Sequence, residues 1–328
     1  MMRKFILNAV FFLIVLTIIV FLIDCITISD EYVIEKTKNT SYHKIAWNLN
    51  LINHHPEKIR GSIIFLGPSL VQGGICDSTL TANGIKSINM GINHHGKEME
   101  LLFLNKILAF KPAKVYLHLS KYELTALHPM TPLLYDPLTL LFNGQSFNVP
   151  FLNFLFHRIS FVLDFVLWSF THTDITKYFY NEYGVVYQKT EFTNESYATI
   201  QTNQLLSPDY KNGNYRNYIR HFAIKFNFIF NTHSQEIFVL KAFEYAKDQN
   251  IKLEEIYLPA LMDAKVKKDF DSTFYCSQNN VVATSLKSFS FLDEFFCWTD
   301  QNHLSRKGAI IFTHELVKQG VLIDVSKR

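Results

Sequence analysis

Three side chains in this sequence have the types and surroundings needed for acyl transfer. The first is Ser69, in Gly67-Pro68-Ser69 at the end of the apolar run Ser62-Ile63-Ile64-Phe65-Leu66. The others are Asp300 and His303, in Trp298-Thr299-Asp300-Gln301-Asn302-His303-Leu304. An Asp three residues before a His, on a turn leading into a helix, lets the carboxylate hold the imidazole in one tautomer. The other ring nitrogen is then free to act as a base. A serine hydroxyl presented at a strand end is what such a base would deprotonate. Plainer readings exist for each piece, since Ser is a favoured helix N-cap and an Asp or His before a helix also serves as a cap.

A fourth feature is Asn89-Met90-Gly91-Ile92-Asn93, which follows the next apolar stretch. A Gly at a strand end permits close backbone approach, so the Gly91 N–H is a candidate oxyanion donor beside the Ser69 N–H; an ordinary turn glycine has the same appearance. His94 and His95 come next and fit solvated loop histidines better than metal ligands. No CxxC or HExxH spacing occurs, so neither a metal nor a cofactor is expected.

These residues have to be positioned by elements far apart in the chain. The run 62–66 reads as a strand buried on both faces, 85–90 and 115–119 as further strands, and 98–110 as an amphipathic helix stopped by Pro112. A helix over 234–248, a strand over 253–258 and a helix from near His303 to Lys318 resume the alternation. This pattern predicts an α/β fold, a parallel sheet with helices on both faces. Between about 129 and 231 the alternation breaks into turns, aromatics and apolar stretches. Phe151 to Phe170 is the most apolar of these, but His157, Arg158 and Asp164 argue against a membrane span. A helix packed on the core is the reading preferred there, with a helix lying on a membrane or partner as the alternative.

The N-terminus reads differently. Phe5 to Ile23 carries no charge and as a helix would extend about 28 Å, close to the hydrocarbon thickness of a bilayer. Arg3 and Lys4 before it, with Asp24, Asp30 and Glu31 after it, place the first residues in the cytoplasm and the rest outside. No small-x-small cleavage site follows, so an uncleaved anchor is expected. The expected organisation is therefore a tip and anchor over 1–24, a stalk with one short helix over 25–60, a catalytic unit over 61–128 and 232–328, and an aromatic-rich, largely helical insertion over 129–231. An outward location permits disulfides, and Cys276 and Cys297 are near enough in sequence to be bridged; two free thiols are equally compatible. The net charge of +3, dispersed along 328 residues, excludes a nucleic-acid footprint.

In this order the blocks Gly67-Pro68-Ser69, Asn89-Met90-Gly91 and Asp300 through His303 resemble those of the SGNH (GDSL-like) hydrolase superfamily, with Pro68 where Asp is usual. The resemblance covers roughly 60–125 and 233–320. It implies a three-layer flavodoxin-like fold with Ser69 as nucleophile, His303 as base and Asp300 as its orienting partner. The oxyanion hole would be formed by the Ser69 and Gly91 amides. The superfamily's third block supplies an Asn donor, whereas this chain reads His118-Leu119-Ser120-Lys121-Tyr122-Glu123; Ser120 is the candidate substitute. With the N-terminal anchor, the chain looks most like membrane-anchored envelope acyltransferases such as the D-alanine transfer protein of teichoic acid modification. That resemblance implies a bacterial inner or plasma membrane location and a membrane-bound O-acyltransferase as partner. The acceptor would be an envelope polysaccharide or polymer. An SGNH esterase and a catalytically silent scaffold are the alternatives.

Overall fold

Alternating side chains in two strands divide the molecule into two cores. In β1 (Ile63–Leu66) Ile64 and Leu66 face one way and Phe65 the other. In β3 (Lys114–His118) Val115 and Leu117 oppose Tyr116 in the same manner, and Tyr116 stacks on Phe65 with ring centroids 5.2 Å apart. The computed structural model describes residues 11, 12, 15, 18, 21–38, 40–94, 96–119, 127–145, 149–171, 234–258, 281–282, 294–300 and 303–322.

β1 and β3 form the centre of a five-stranded sheet completed by β2 (Ser87–Asn89), β4 (Lys252–Ile256) and β5 (Val281–Val282), in the order β2-β1-β3-β4-β5. Every pairing is parallel, with Ile63 opposite both Ser87 and Lys114, and Lys114 opposite Lys252. The chain thus begins at β1, moves outward to β2, then crosses back to β3. Such a reversal opens a crevice outside the C-terminal ends of β1 and β3, where sheets of this type hold their ligands.

The helices lie on both faces, as the strand–helix alternation predicts. On one face Ile64, Leu66, Val115, Leu117 and Leu253 pack against α1 (Asp30–Thr37), α2 (His43–His54), α6 (Lys97–Leu108), α9 (Val149–Thr171) and α10 (Ser234–Asp248). Short helices α3 (Pro56–Ile59), α7 (Thr131–Leu134) and α8 (Pro137–Phe142) connect them. On the other face Phe65, Tyr116 and Ile256 meet α4 (Ser69–Gly74), α5 (Asp77–Ala82) and α11 (Arg306–Lys318).

Several expectations need correction. The segment 25–60 is not a stalk: α1 and α2 bury Tyr32, Val33, Ile34, Trp47, Leu49 and Leu51 in the first core. The polar letters of α2 misled, because they point inward. Lys44 is fully buried with its Nζ 3.3 Å from the centroid of the Trp47 ring, and Asn48 Nδ2 donates to Met90 O at 2.9 Å. Cys297 is a free, buried thiol, so it forms no bridge to Cys276, which itself lies outside the described residues. The described part of 129–231 is helical and contributes Leu133, Tyr135, Leu140, Phe151, Phe154 and Val162 to the first core, so it shares that core with the sheet. Most of the expected anchor lies outside the described residues. Those it does include, at 11, 12, 15, 18 and 21–24, are helical, with Phe11, Phe12, Ile18 and Leu22 exposed.

Candidate active site

Ser69 owes its place to Gly67. A Cβ on Gly67 would lie 2.4 Å from Val71 Cγ2 and 2.6 Å from His118 Cβ, so only glycine lets the chain turn out of β1 while β3 stays alongside. Pro68 is extended, and its carbonyl accepts from Val71 N at 2.9 Å and Gln72 N at 3.1 Å. Ser69 is therefore the first residue of α4, with its side chain part-exposed at the crevice.

His303 and Asp300 are carried by a tight loop fastened to the second core. Trp298 and Leu304 pair across it as an antiparallel bridge, Thr299 N donates to His303 O at 2.9 Å, and Ser305 N donates to Cys297 O at 2.7 Å. The fully buried Trp298 anchors the loop's base. The helix expected to start near His303 starts at Arg306, because Ser305 caps it by accepting from Gly308 N at 3.0 Å. Gly308 is needed for close approach to this loop: its missing Cβ would lie 2.1 Å from Cys297 O.

The two regions meet. His303 Nε2 lies 2.7 Å from Ser69 Oγ, and His303 Nδ1 lies 2.7 Å from Asp300 Oδ2. Asp300 Oδ1 also accepts from the His303 backbone N–H at 2.9 Å, so the carboxylate grips its histidine twice. A carboxylate only accepts, so the Nδ1 must carry the hydrogen and Nε2 is left to accept from the serine hydroxyl. The His303 side chain is 31% exposed and that of Asp300 44%, so the pair is open to solvent in part. This arrangement can move a proton from Ser69 Oγ to Nε2 while an acyl carbon approaches the oxygen.

The expected donor Gly91 is placed differently from its anticipated role. Its N–H donates to Asn89 Oδ1 at 2.9 Å, and so it is not directed at an oxyanion. Gly91 instead serves packing, since a Cβ there would be 2.5 Å from Gln72 N in α4. The amides of Ser69 and Leu70 remain on the first turn of α4, ahead of its first internal bonds. Ser120 lies outside the described residues.

Asn89, which the sequence reading names only as part of the glycine block, has a role of its own. Fully buried, it accepts from Gly91 N and donates through Nδ2 to Val71 O and Ile75 O, both at 2.8 Å. It thereby ties the end of β2 to the carbonyls of α4, the helix that carries Ser69. Its backbone N–H donates to Asp77 Oδ2 at 3.1 Å, which draws α5 into the same network. The available signal was a polar residue between Ile88 and Met90, where an apolar one would satisfy the strand pattern.

Behind the C-terminal ends of β1 and β3 lies a second polar cluster. Lys97 pairs with Glu100 at 2.9 Å and donates to the His118 carbonyl. Glu98, fully buried, accepts from His128 N at 2.5 Å, Thr131 Oγ1 at 2.8 Å and Gln235 Nε2 at 3.3 Å. One carboxylate thus clamps the residues on either side of 172–233 to the same edge of the sheet that presents Ser69. Burial pushes the Glu100 carboxyl up to about 7 despite the opposing Lys97 charge, and burial raises Glu98 and Glu255 as well. A carboxyl raised on folding binds its proton more tightly in the folded chain. Each of these groups therefore removes stability as pH rises above its unfolded value, and for Glu100 the loss runs from near 4.5 through about 7. For Glu100 the loss is on the order of 3 kcal/mol. The melting temperature should be lower at pH 8 than at pH 5.5, and Glu100→Gln should flatten that slope; an unchanged slope in the variant would contradict the assignment.

No protein-family model matches the chain, and comparisons with curated proteins and with solved structures also give no match.

Proposed function

We propose that this chain is a membrane-anchored, extracytoplasmic serine acyltransferase of SGNH type. In this reading Ser69 Oγ attacks an acyl carbonyl as its proton passes to His303 Nε2, and the imidazolium then protonates the leaving group, giving an acyl ester on Ser69. A hydroxyl of an envelope glycan or polymer, deprotonated by the same Nε2, attacks that ester and releases Ser69. Asp300 keeps the ring oriented and balances its positive charge. The amides at the start of α4 are the nearest donors for the oxyanion. The observation that carries this reading is the unbroken Ser69–His303–Asp300 chain: a 2.7 Å contact joins His303 to Ser69, 234 positions away, and a second of 2.7 Å joins it to Asp300 in its own loop. The order β2-β1-β3-β4-β5 is that of flavodoxin-like sheets and is consistent with the SGNH assignment. The uncharged run Phe5–Ile23 supplies the anchor, and tethering would let the site collect acyl groups from a membrane-bound O-acyltransferase at high effective concentration.

The partial exposure of His303 and Asp300 favours a second reading, an esterase that uses water as acceptor. Turnover of p-nitrophenyl acetate with and without a soluble glycan separates the two. The acyltransferase should give a burst of p-nitrophenol, then faster turnover and acetylated glycan when glycan is present. Equal rates and no acetylated glycan would leave the esterase. Asp300→Asn should cost less than loss of either partner, about 10³–10⁴-fold in kcat, because the loop still holds the His303 backbone. A loss equal to that of His303→Ala would mean that Asp300 does more than orient the ring.

A further inference from the structure

Helix α9 has a face that nothing among the described residues covers. Leu152, Phe156, Leu163, Leu167 and Phe170 are all exposed, Phe156 at 80% and Phe170 at 81%. At about 100° per residue these five positions fall in one narrow sector of the helix. The opposite sector, with Phe151, Phe154, Arg158 and Val162, is buried in the first core. The three ionisable side chains of α9 lie off the stripe: Arg158 is buried, Asp164 binds Tyr32 OH at 2.5 Å and pairs with Lys36, and the exposed His157 is about 80° round the helix from its nearest member.

Arg158 also fixes where this face sits. Its Nε donates to Asp24 O and its Nη2 to Ile26 O, each at 2.6 Å, while Nη1 donates to Pro132 O at 2.8 Å. The uncharged run 5–23 thus ends against the middle of α9. Beside it, α8 exposes Phe142 at 79% and Leu138, and its capping Asp136 lies within electrostatic reach of Arg158. Three separate segments therefore present bare apolar side chains around the point where the anchor ends.

We propose that α9 lies lengthwise in the interfacial zone of the bilayer that receives residues 5–23, with its Leu152-to-Phe170 stripe among the upper acyl chains; this rests on the reading of 5–23 as an anchor. The helix is long and apolar enough to cross a membrane. Its packing forbids that course, because Tyr32 contacts Phe165 and Trp168 while Arg158 holds residues 24–26, so α9 is fastened to the globular part over several turns. A helix of 23 residues extends about 34 Å along the surface, and an uncharged stripe on one side of it is what an interfacial helix buries. Anchor and stripe together would hold the molecule in one orientation on the membrane, where a tether alone would let it tumble.

The full chain, reconstituted in phosphatidylcholine vesicles, provides the test. Tryptophan is placed by Phe156→Trp or Phe170→Trp, with Phe12→Trp reporting the anchor and Lys318→Trp, on an exposed side chain of the opposite sheet face, as control. Lipids brominated near the top of the acyl chain should reduce the added emission at 156 and 170 about twofold or more, and leave that at 318 unchanged. Quenching at 156 and 170 by aqueous acrylamide alone would overturn the proposal, as would quenching by neither agent, which would mean that protein covers the stripe. If bromolipid quenches position 12 but not 156 and 170, the anchor stands and the interfacial helix falls. If it quenches none of the three, both fall.

Discussion

Replacing Ser69 by Ala, or His303 by Ala, should each lower turnover of an activated ester by about 10⁴–10⁶-fold, and the double variant should lose no more than either single one. The reason is that the two side chains act as a unit: the hydroxyl is a poor nucleophile until Nε2 takes its proton, and Nε2 has nothing to activate once the hydroxyl is gone. Their separation of 2.7 Å already has hydrogen-bond length, so no rearrangement is needed before the proton moves. Neither substitution should unfold the protein, since Ser69 is part-exposed and His303 is 31% exposed. Turnover by purified variants, compared with wild type at saturating ester, is the measurement. Wild-type rates in His303→Ala would end the triad assignment.

The second large effect is expected at Asn89, a positioning residue that touches no substrate. Asn89→Ala strands the Ile75 carbonyl and the Gly91 amide inside the protein and leaves the Val71 carbonyl with the Ile75 N–H alone, at a cost of about 2–4 kcal/mol. Freed from that tie, α4 should shift Ser69 relative to His303, and a displacement of about 1 Å is enough for a 10²-fold fall in kcat. Asn89→Asp is the sharper variant. It keeps the acceptor for Gly91 but turns a carboxylate oxygen towards two carbonyls that now receive an N–H at 2.8 Å. It should be at least as damaging as Ala, with KM unchanged and the pH profile of the residual activity preserved. Thermal melts and steady-state kinetics on the two variants check both parts. A variant that melts early yet keeps wild-type kcat would reduce Asn89 to a purely structural role.

The sheet was legible because its strands are short apolar runs set at regular distances from amphipathic helices, and the parallel order follows from crossover lengths. Ser234–Asp248 was read with the bounds it has, and Lys97–Leu108 within two residues of them. The pairing of Ser69 with His303 was expected from the residue types together with the order of the three blocks, since each piece alone reads equally as a helix cap or a turn. The role of Gly91 could not be anticipated, because nothing in the sequence says whether an N–H points outward or is claimed by the side chain two residues before it. That α1 and α2 belong to the core, where a stalk with one short helix was expected, was hidden for a related reason. Lys44, Asn48 and Asn50 look like surface residues until Trp47 and the Met90 carbonyl supply partners for the first two of them inside the protein. Buried polar side chains are satisfied by contacts distant in sequence, and spacing carries no record of them.

The most direct test uses a fluorophosphonate, which reacts only with an activated hydroxyl and stays on the oxygen that attacked it. Intact mass and peptide mapping after treatment should show one adduct per chain, on Ser69, absent from both Ser69→Ala and His303→Ala and slowed in Asp300→Asn. An adduct on another residue, or an unmodified Ser69 in folded wild-type protein, would contradict the account.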